Sequence, residues 1–373
     1  MVYALGSRGG AARLAPSASP EGAERFLLLD GLRGILALSV AIHHFSSTSQ
    51  HRDLFSCAGL AVDFFFCLSG FVLAHAYESK LRSGMTFAGF MERRLVRLYP
   101  MYLMGLALGI TAVMALRPEA RHALGPLASA GAALANLGYM PYPNAVAMPV
   151  QAVVVTAALF PFNGPAWSLF FELGANAAYV FIARISTAAL AVLVALFALG
   201  TAASWVHYGP EPGWSTGTFA GGAWRVAFGF FSGVLLYRLR RPGQAARGLP
   251  ALALALVVIA MLAAPLAAPG SVYWVAAAIF AVPLVVKLAA CCDFAMPATV
   301  RAACRYSGRL SYPVYCLHYP LLVALFGGAV ASRGTYYLEF AVYLAVVIAL
   351  SHVLLTRVDE PLRLRVSAMR RAA

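Results

Sequence analysis

The sequence predicts an all-α integral membrane protein of about ten transmembrane helices, and three observations carry that prediction. The 373 residues are 61% hydrophobic and only 11% charged, with a mean hydropathy of +0.77, far from an ordinary soluble domain. Apolar runs of about 20 residues, enough to cross the hydrocarbon core, recur from residue 32 to residue 357. The Lys and Arg residues gather on alternate loops, which gives the chain an orientation.

Residues 1–26, rich in Ser, Pro, Gly and Ala, are expected to form a disordered cytoplasmic arm. They lack the apolar core of a cleavable signal peptide, so the first span is expected to act as an uncleaved anchor. A membrane domain over 27–365 follows, with spans near 31–49, 58–77, 95–116, 165–184, 187–206, 219–237, 249–268, 272–290, 311–331 and 336–356. Residues 366–373 are expected to form a cytoplasmic tail. The segment 117–164 holds two moderately apolar stretches, Ala123–Met140 and Val150–Phe160. They read as short re-entrant helices, in preference to interfacial helices or a crossing pair that would bring the count to twelve.

Assigning loops alternately from the inside places 21 of the 28 Lys and Arg residues inside. Arg52, Arg117, Arg121 and Arg333 fall outside, and Arg33, Arg97 and Arg225 lie within spans. This asymmetry puts both termini in the cytoplasm. The net charge of +14 is therefore topological, and nucleic acid is not an expected partner. The six cysteines show no CxxC or Cys/His spacing, so neither a disulfide framework nor a metal site is expected. No internal repeat of the transporter kind is visible.

Arg33 and His44 share the first span. Eleven steps of about 100° make nearly three turns, so both side chains point the same way, roughly 16 Å apart along the helix. The sequence places Arg33 near the end of the span and His44 near its middle. Ionisable groups at that depth are costly and mark function by default, against the plainer reading of a snorkelling Arg and a His bonded to a neighbouring helix. His43 points about 100° away and reads as secondary.

Four further clusters accompany this pair. Asp63-Phe-Phe-Phe-Cys-Leu-Ser-Gly-Phe71 sets a carboxylate and the small residues Ser69 and Gly70 in the second span; helix packing explains the small residues equally well. Arg94 and Arg97 are three apart, neighbours on one helix face at the inner start of the third span, and form a clamp suited to phosphate. Pro165-Ala-Trp-Ser-Leu-Phe-Phe-Glu172 places Trp167 at the outer interface and Glu172 within the membrane, as a functional carboxylate or one half of a structural ion pair. Ser311-Tyr-Pro-Val-Tyr-Cys-Leu-His-Tyr-Pro320 carries Tyr315 and His318, which either bond between helices or line a cavity.

Taken in order, these motifs resemble the acyltransferase-3 family of integral-membrane acyltransferases. The resemblance spans about residues 27–365. It rests on Leu29-Asp-Gly-Leu-Arg33 with Arg33-x10-His44, on the Asp63–Phe71 and Arg94-x-x-Arg97-Leu-Tyr-Pro100 segments, on Trp167-Ser-Leu-x-x-Glu172, on Ser311–Pro320, and on the closing Glu360-Pro361. It implies transfer of an acyl group, commonly acetyl, from cytoplasmic acyl-CoA to a hydroxyl of a glycan, lipid-linked saccharide or macrolide-like acceptor. Residence in the inner (cytoplasmic) membrane is expected, with membrane lipid as a partner; whether the chain forms a homo-oligomer is left open. By the same similarity His44 matches the catalytic histidine, and Arg33, Arg94 and Arg97 match essential arginines. The chain departs from the family where Glu172 is followed by Leu-Gly-Ala-Asn rather than Phe-Tyr. The appended esterase-like domain of some members is not expected here.

An alcohol attacking a thioester needs a base poised near neutral pH, which His44 supplies. A transient acyl-His44 is a variant of the same chemistry. Arg94 and Arg97, with Arg33 deeper, are expected to hold CoA phosphates; Glu172 or Asp63 is expected to orient His44; Trp167, Ser69, Tyr315 and His318 are expected at the substrate. Two other classes compete, a secondary transporter and a non-catalytic membrane glycan-binding protein. Loss of turnover with retained CoA binding in His44→Ala separates the enzyme from both.

Overall fold

The computed structural model describes residues 26–47, 54–116, 118–143, 147–150, 153–156, 158–240, 251–264, 272–291, 296–327 and 334–372. All but Phe26 of the arm expected over 1–26 lies outside these, as do the loop cations Arg52, Arg117, Arg247 and Arg333.

Helix occupies every segment that the sequence marks as a span. In chain order these are α1 (Leu27–Ser47), α2 (Gly59–Arg82), α3 (Phe87–Leu116), the short α4 (Pro118–Leu124) and α5 (Pro126–Leu137), then α6 (Ala166–Ile182), α7 (Thr187–Tyr208), α8 (Phe219–Leu239) and α9 (Ala251–Leu262). A broken helix follows, α10 (Val272–Ala276) and α11 (Val282–Cys291) joined by a π turn over Ala277–Ala281. Last come α12 (Ala298–Phe326), α13 (Tyr336–Leu354), a second π turn over Leu355–Asp359, and α14 (Glu360–Ala372). Among the described residues, seven helical stretches are long and apolar enough to cross a membrane by length and composition. Helices α6 and α9 are apolar but shorter, and α12 carries Arg301, Arg305 and Arg309 in its first half.

The 117–164 segment follows the expectation only in part. Its first stretch is helical, as α4 and α5. Its second is an antiparallel hairpin, β1 (Ala147–Val150) with β2 (Val153–Thr156), register Ala147 opposite Thr156. Val153-Val-Val-Thr156 is a β-branched run, stiff at χ1 and better suited to a pleated strand than to a helix.

Glycines decide which helices meet. A Cβ on Gly31 or Gly34 of α1 would strike Cys304 or Ser307, and one on Gly308 would strike Asp30. These contacts, with His44 stacked on His318, fix α1 and α12 as a parallel pair in one register. Helices α2 and α8 are parallel in the same way: Gly70 abuts the Phe230 carbonyl, Gly233 the Cys67 carbonyl, and Asp63 and Glu78 pair with Arg225 and Arg238. Both pairs are parallel in the alternating order of spans as well. Between the helices lie Phe64, Phe66, Phe71, Tyr102, Tyr179 and Phe230, all essentially inaccessible. Leu199, Leu252 and Phe280 face outward, the apolar exterior a membrane bundle presents to lipid.

The hydrogen bond that Pro320 removes from α12 is replaced by a side chain. Pro320 has no N–H to offer the carbonyl of Cys316 four residues back, and Asn163 Nδ2 donates to that carbonyl instead, at 3.0 Å. Gly105 of α3 lets the two backbones approach there, since a Cβ would sit 2.4 Å from the same oxygen.

Candidate functional site

A cavity of about 250 Å³ runs between α1, α2, α3, α6 and α12. Its wall on α2 extends from Val62 to Tyr77, about 22 Å of helix at 1.5 Å per residue. The cavity is therefore long and narrow. Six of the ten candidate residues line it: Arg33, Ser69, Arg94, Arg97, Glu172 and Tyr315.

Three arginines converge on the cavity, with Arg94 at the level of Ser69, midway along the α2 wall. Arg33 lies 3.8 Å from Asp30, one turn earlier on α1. Arg94 Nη2 donates to Glu172 Oε1 at 3.2 Å, and the Ser69 hydroxyl donates to the same oxygen at 2.6 Å. The Nε–H of Arg94 is buried without a hydrogen-bond partner among the described residues, a donor left free for a ligand. Arg97 lies 3.8 Å from Asp359. With Arg33 of α1 and Arg94 and Arg97 on one face of α3 supplying guanidinium groups, this stretch of the cavity is built for an anion.

Further along, the Tyr315 hydroxyl meets Ser168 Oγ at 2.7 Å, and Ser168 also bonds the Pro165 carbonyl. The Tyr315 ring packs against Phe65 on one side and His318 on the other, with centroids 5.5 and 5.7 Å apart. The Tyr312 hydroxyl donates to Leu98 O at 2.6 Å and ties this wall to α3.

Beyond Tyr315 lies a pair of imidazoles. His318 is completely buried and stacks on His44 at 5.3 Å, and Tyr319 meets His44 edge-on at 5.3 Å. His318 Nδ1 lies 3.1 and 2.9 Å from the carbonyls of Val314 and Tyr315, which can only accept. Nδ1 therefore carries the proton and Nε2 presents its lone pair, without a partner among the described residues.

The structure corrects several expectations. His44 lies in the last described turn of α1. Neither carboxylate orients it: Glu172 is engaged by Ser69 and Arg94, and Asp63 by Arg225. That last contact is two-pronged, 2.7 and 2.8 Å, with a third bond from Arg225 to the Gly59 carbonyl, so Asp63 stands as half of a buried ion pair away from the cavity. Trp167 is buried rather than at an outer interface, with the Arg225 guanidinium 5.6 Å above its ring. His43 sits beside His44, rings 5.4 Å apart.

Sequence reasoning missed Ser168, Tyr312, Tyr319, Asn163 and Asp359. Pro320 announces a carbonyl in need of a donor, which points to Asn163. Arg225, an isolated cation in an apolar run, announces a carboxylate partner.

A family model described as an acyltransferase domain matches residues 26–356. The curated protein called Protein 2 in picA locus, from Rhizobium radiobacter, is 40% identical over 165 residues, covering 42% of this chain and 81% of that protein. No solved structure matches. With the family model covering most of its length, this chain belongs to the acyltransferase-3 family and is a membrane acyltransferase.

Proposed function

We propose that this acyltransferase moves an acyl group, most simply acetyl, from acyl-CoA to a hydroxyl of a glycan, glycolipid or related acceptor. The observation that carries this reading is the continuity of the site. A long cavity carries three arginines and reaches Tyr315, whose ring contacts His318, which stacks on His44. That shape suits a donor with an anionic head and a long flexible arm. Arg33, Arg94 and Arg97 hold its phosphates, Ser69 and Glu172 set the Arg94 side chain, and the arm lies along α2 toward the imidazoles.

His44 acts as the general base. It takes the proton of the acceptor hydroxyl as that oxygen attacks the thioester carbonyl carbon. The tetrahedral intermediate then collapses with cleavage of the C–S bond, and the departing CoA thiolate recovers the proton. His318, its tautomer fixed by two carbonyls, offers Nε2 as an acceptor for the incoming hydroxyl or for a water beside it. With the inner-end arginines facing the cytoplasm and both termini cytoplasmic, the donor enters from the cell interior of an inner-membrane protein.

The test compares ester-linked acyl groups on surface glycans and glycolipids, by NMR and mass spectrometry, in strains carrying no copy, the wild type or His44→Ala at matched expression. An ester confined to the wild type establishes O-acylation and identifies donor group and acceptor. An ester that persists in His44→Ala removes His44 as the essential base. No difference among the three strains defeats the reading and turns attention to transport.

A further inference from the structure

The Glu360-Pro361 pair plays no part in the chemistry above, yet it leads to a carboxylate that bears on it. Pro361 has no N–H for the carbonyl of Arg357, and the turn before it is a π turn, closed by the Glu360 N–H on Leu355 O. The extra residue rotates the helix by about one step of 100°. Ala277–Ala281 repeats the arrangement, with Val282 N–H on Ala277 O and Pro283 following.

The consequence at the second π turn is that Asp359 points inward and is completely buried. Its Oδ2 is shared by Arg97, at 3.8 Å, and by a direct hydrogen bond from Arg363 one turn on. Its Oδ1 has no partner among the described residues. Docking of α14 does not require this, because Glu360 already binds Arg309 of α12 through two hydrogen bonds of 2.9 and 2.8 Å. A buried carboxylate with an unused oxygen is costly and calls for a reason.

We propose that Asp359 is a positioning residue for the acyl donor, holding the Arg97 guanidinium at the cavity beside Arg33 and Arg94. This rests on the donor reading of the cavity given above. Three like charges at one mouth repel one another, and an anion behind Arg97 offsets that repulsion while the site is empty. Arg97 is also the looser of the two partners of Asp359. It turns toward a phosphate while Arg363 keeps the carboxylate paired, so engaging the donor strands no buried charge.

The experiment uses the full chain in lipid nanodiscs and measures acetyl-CoA kinetics and direct CoA binding for wild type, Asp359→Asn, Asp359→Glu, Arg97→Ala and the Arg97→Ala/Asp359→Asn double variant. The expected result for Asp359→Asn is a rise of about tenfold in KM for acetyl-CoA and in Kd for CoA, equal to 1.4 kcal/mol. Its kcat stays within about twofold of wild type, and Asp359→Glu recovers part of the binding. The double variant binds no worse than Arg97→Ala alone, because both changes remove one device. Wild-type KM and Kd in Asp359→Asn, or penalties that multiply in the double variant, overturn the proposal. If Asp359→Asn does not fold, Asp359→Ser, which also removes the charge, carries the same comparison. A wild-type protein that binds no CoA overturns the donor reading itself, and this proposal with it.

Discussion

Asp63 on α2 and Arg225 on α8 form a two-pronged ion pair, with Nε and Nη2 on the two carboxylate oxygens at 2.7 and 2.8 Å and both residues buried. The pair joins two parallel helices at the end of the bundle where both begin. Removing either partner alone strands a buried charge, at a cost of about 3–5 kcal/mol. Asp63→Ala and Arg225→Ala are therefore each expected to lower the unfolding midpoint in detergent strongly. The double variant is expected to lose less than the sum of the two, and an additive loss counts against the pairing.

The stand-in donor at Pro320 gives a second cycle. Asn163→Ala leaves the Cys316 carbonyl unpaired, at a cost of about 1–3 kcal/mol. Pro320→Ala restores a backbone N–H to that carbonyl. In the Pro320→Ala background, Asn163→Ala should cost far less, as read from thermal unfolding of the two single variants and the double.

Close contacts at glycine divide the glycines of this chain into two kinds. A Cβ on Gly70 would stand 1.8 Å from the Phe230 carbonyl oxygen, and backbone must move to admit it. Gly70→Ala is expected to destabilise by about 1–3 kcal/mol. Gly174 of α6 has nothing within 4 Å of its added Cβ, and Gly174→Ala should be neutral or stabilising by up to about 1 kcal/mol through helix propensity. Equal behaviour of the two variants in a thermal-shift series contradicts the close packing of α2 on α8.

For the chemistry, His44→Ala is expected to lower kcat by about 10²- to 10⁴-fold, the range of a lost general base, with CoA affinity preserved. His44 does not line the cavity that holds the arginines. A parallel loss of CoA binding in His44→Ala would place the histidine with the donor rather than with the proton.

Helix positions were legible because twenty-residue apolar runs leave little else to form, and each predicted span holds a helix. Six of the ten candidate residues were legible as a group, since Arg33, Ser69, Arg94, Arg97, Glu172 and Tyr315 line one cavity. Charge pairing was not. A carboxylate in a span announces that it needs a partner without naming one, and Asp63 turned to Arg225 while Glu172 turned to Arg94. Trp167 was misjudged for a related reason: an indole near a helix end suits the interface, but a buried cation beside it draws it inward. The Val153–Thr156 run was weighed by hydropathy, which does not register β-branching.

The register between α1 and α12 makes the first helix a measuring rod. Gly31 and Gly34 lock it near one end, and the His44–His318 stack locks it near the other. The span from Arg33 to His44 is then a fixed number of helical rises, which thermal motion of side chains does not stretch. Inserting one residue between them would lengthen the rod by about 1.5 Å and swing His44 by about 100° around its axis. Reach and aim are thus set by the same eleven residue steps, and neither can be retuned without the other.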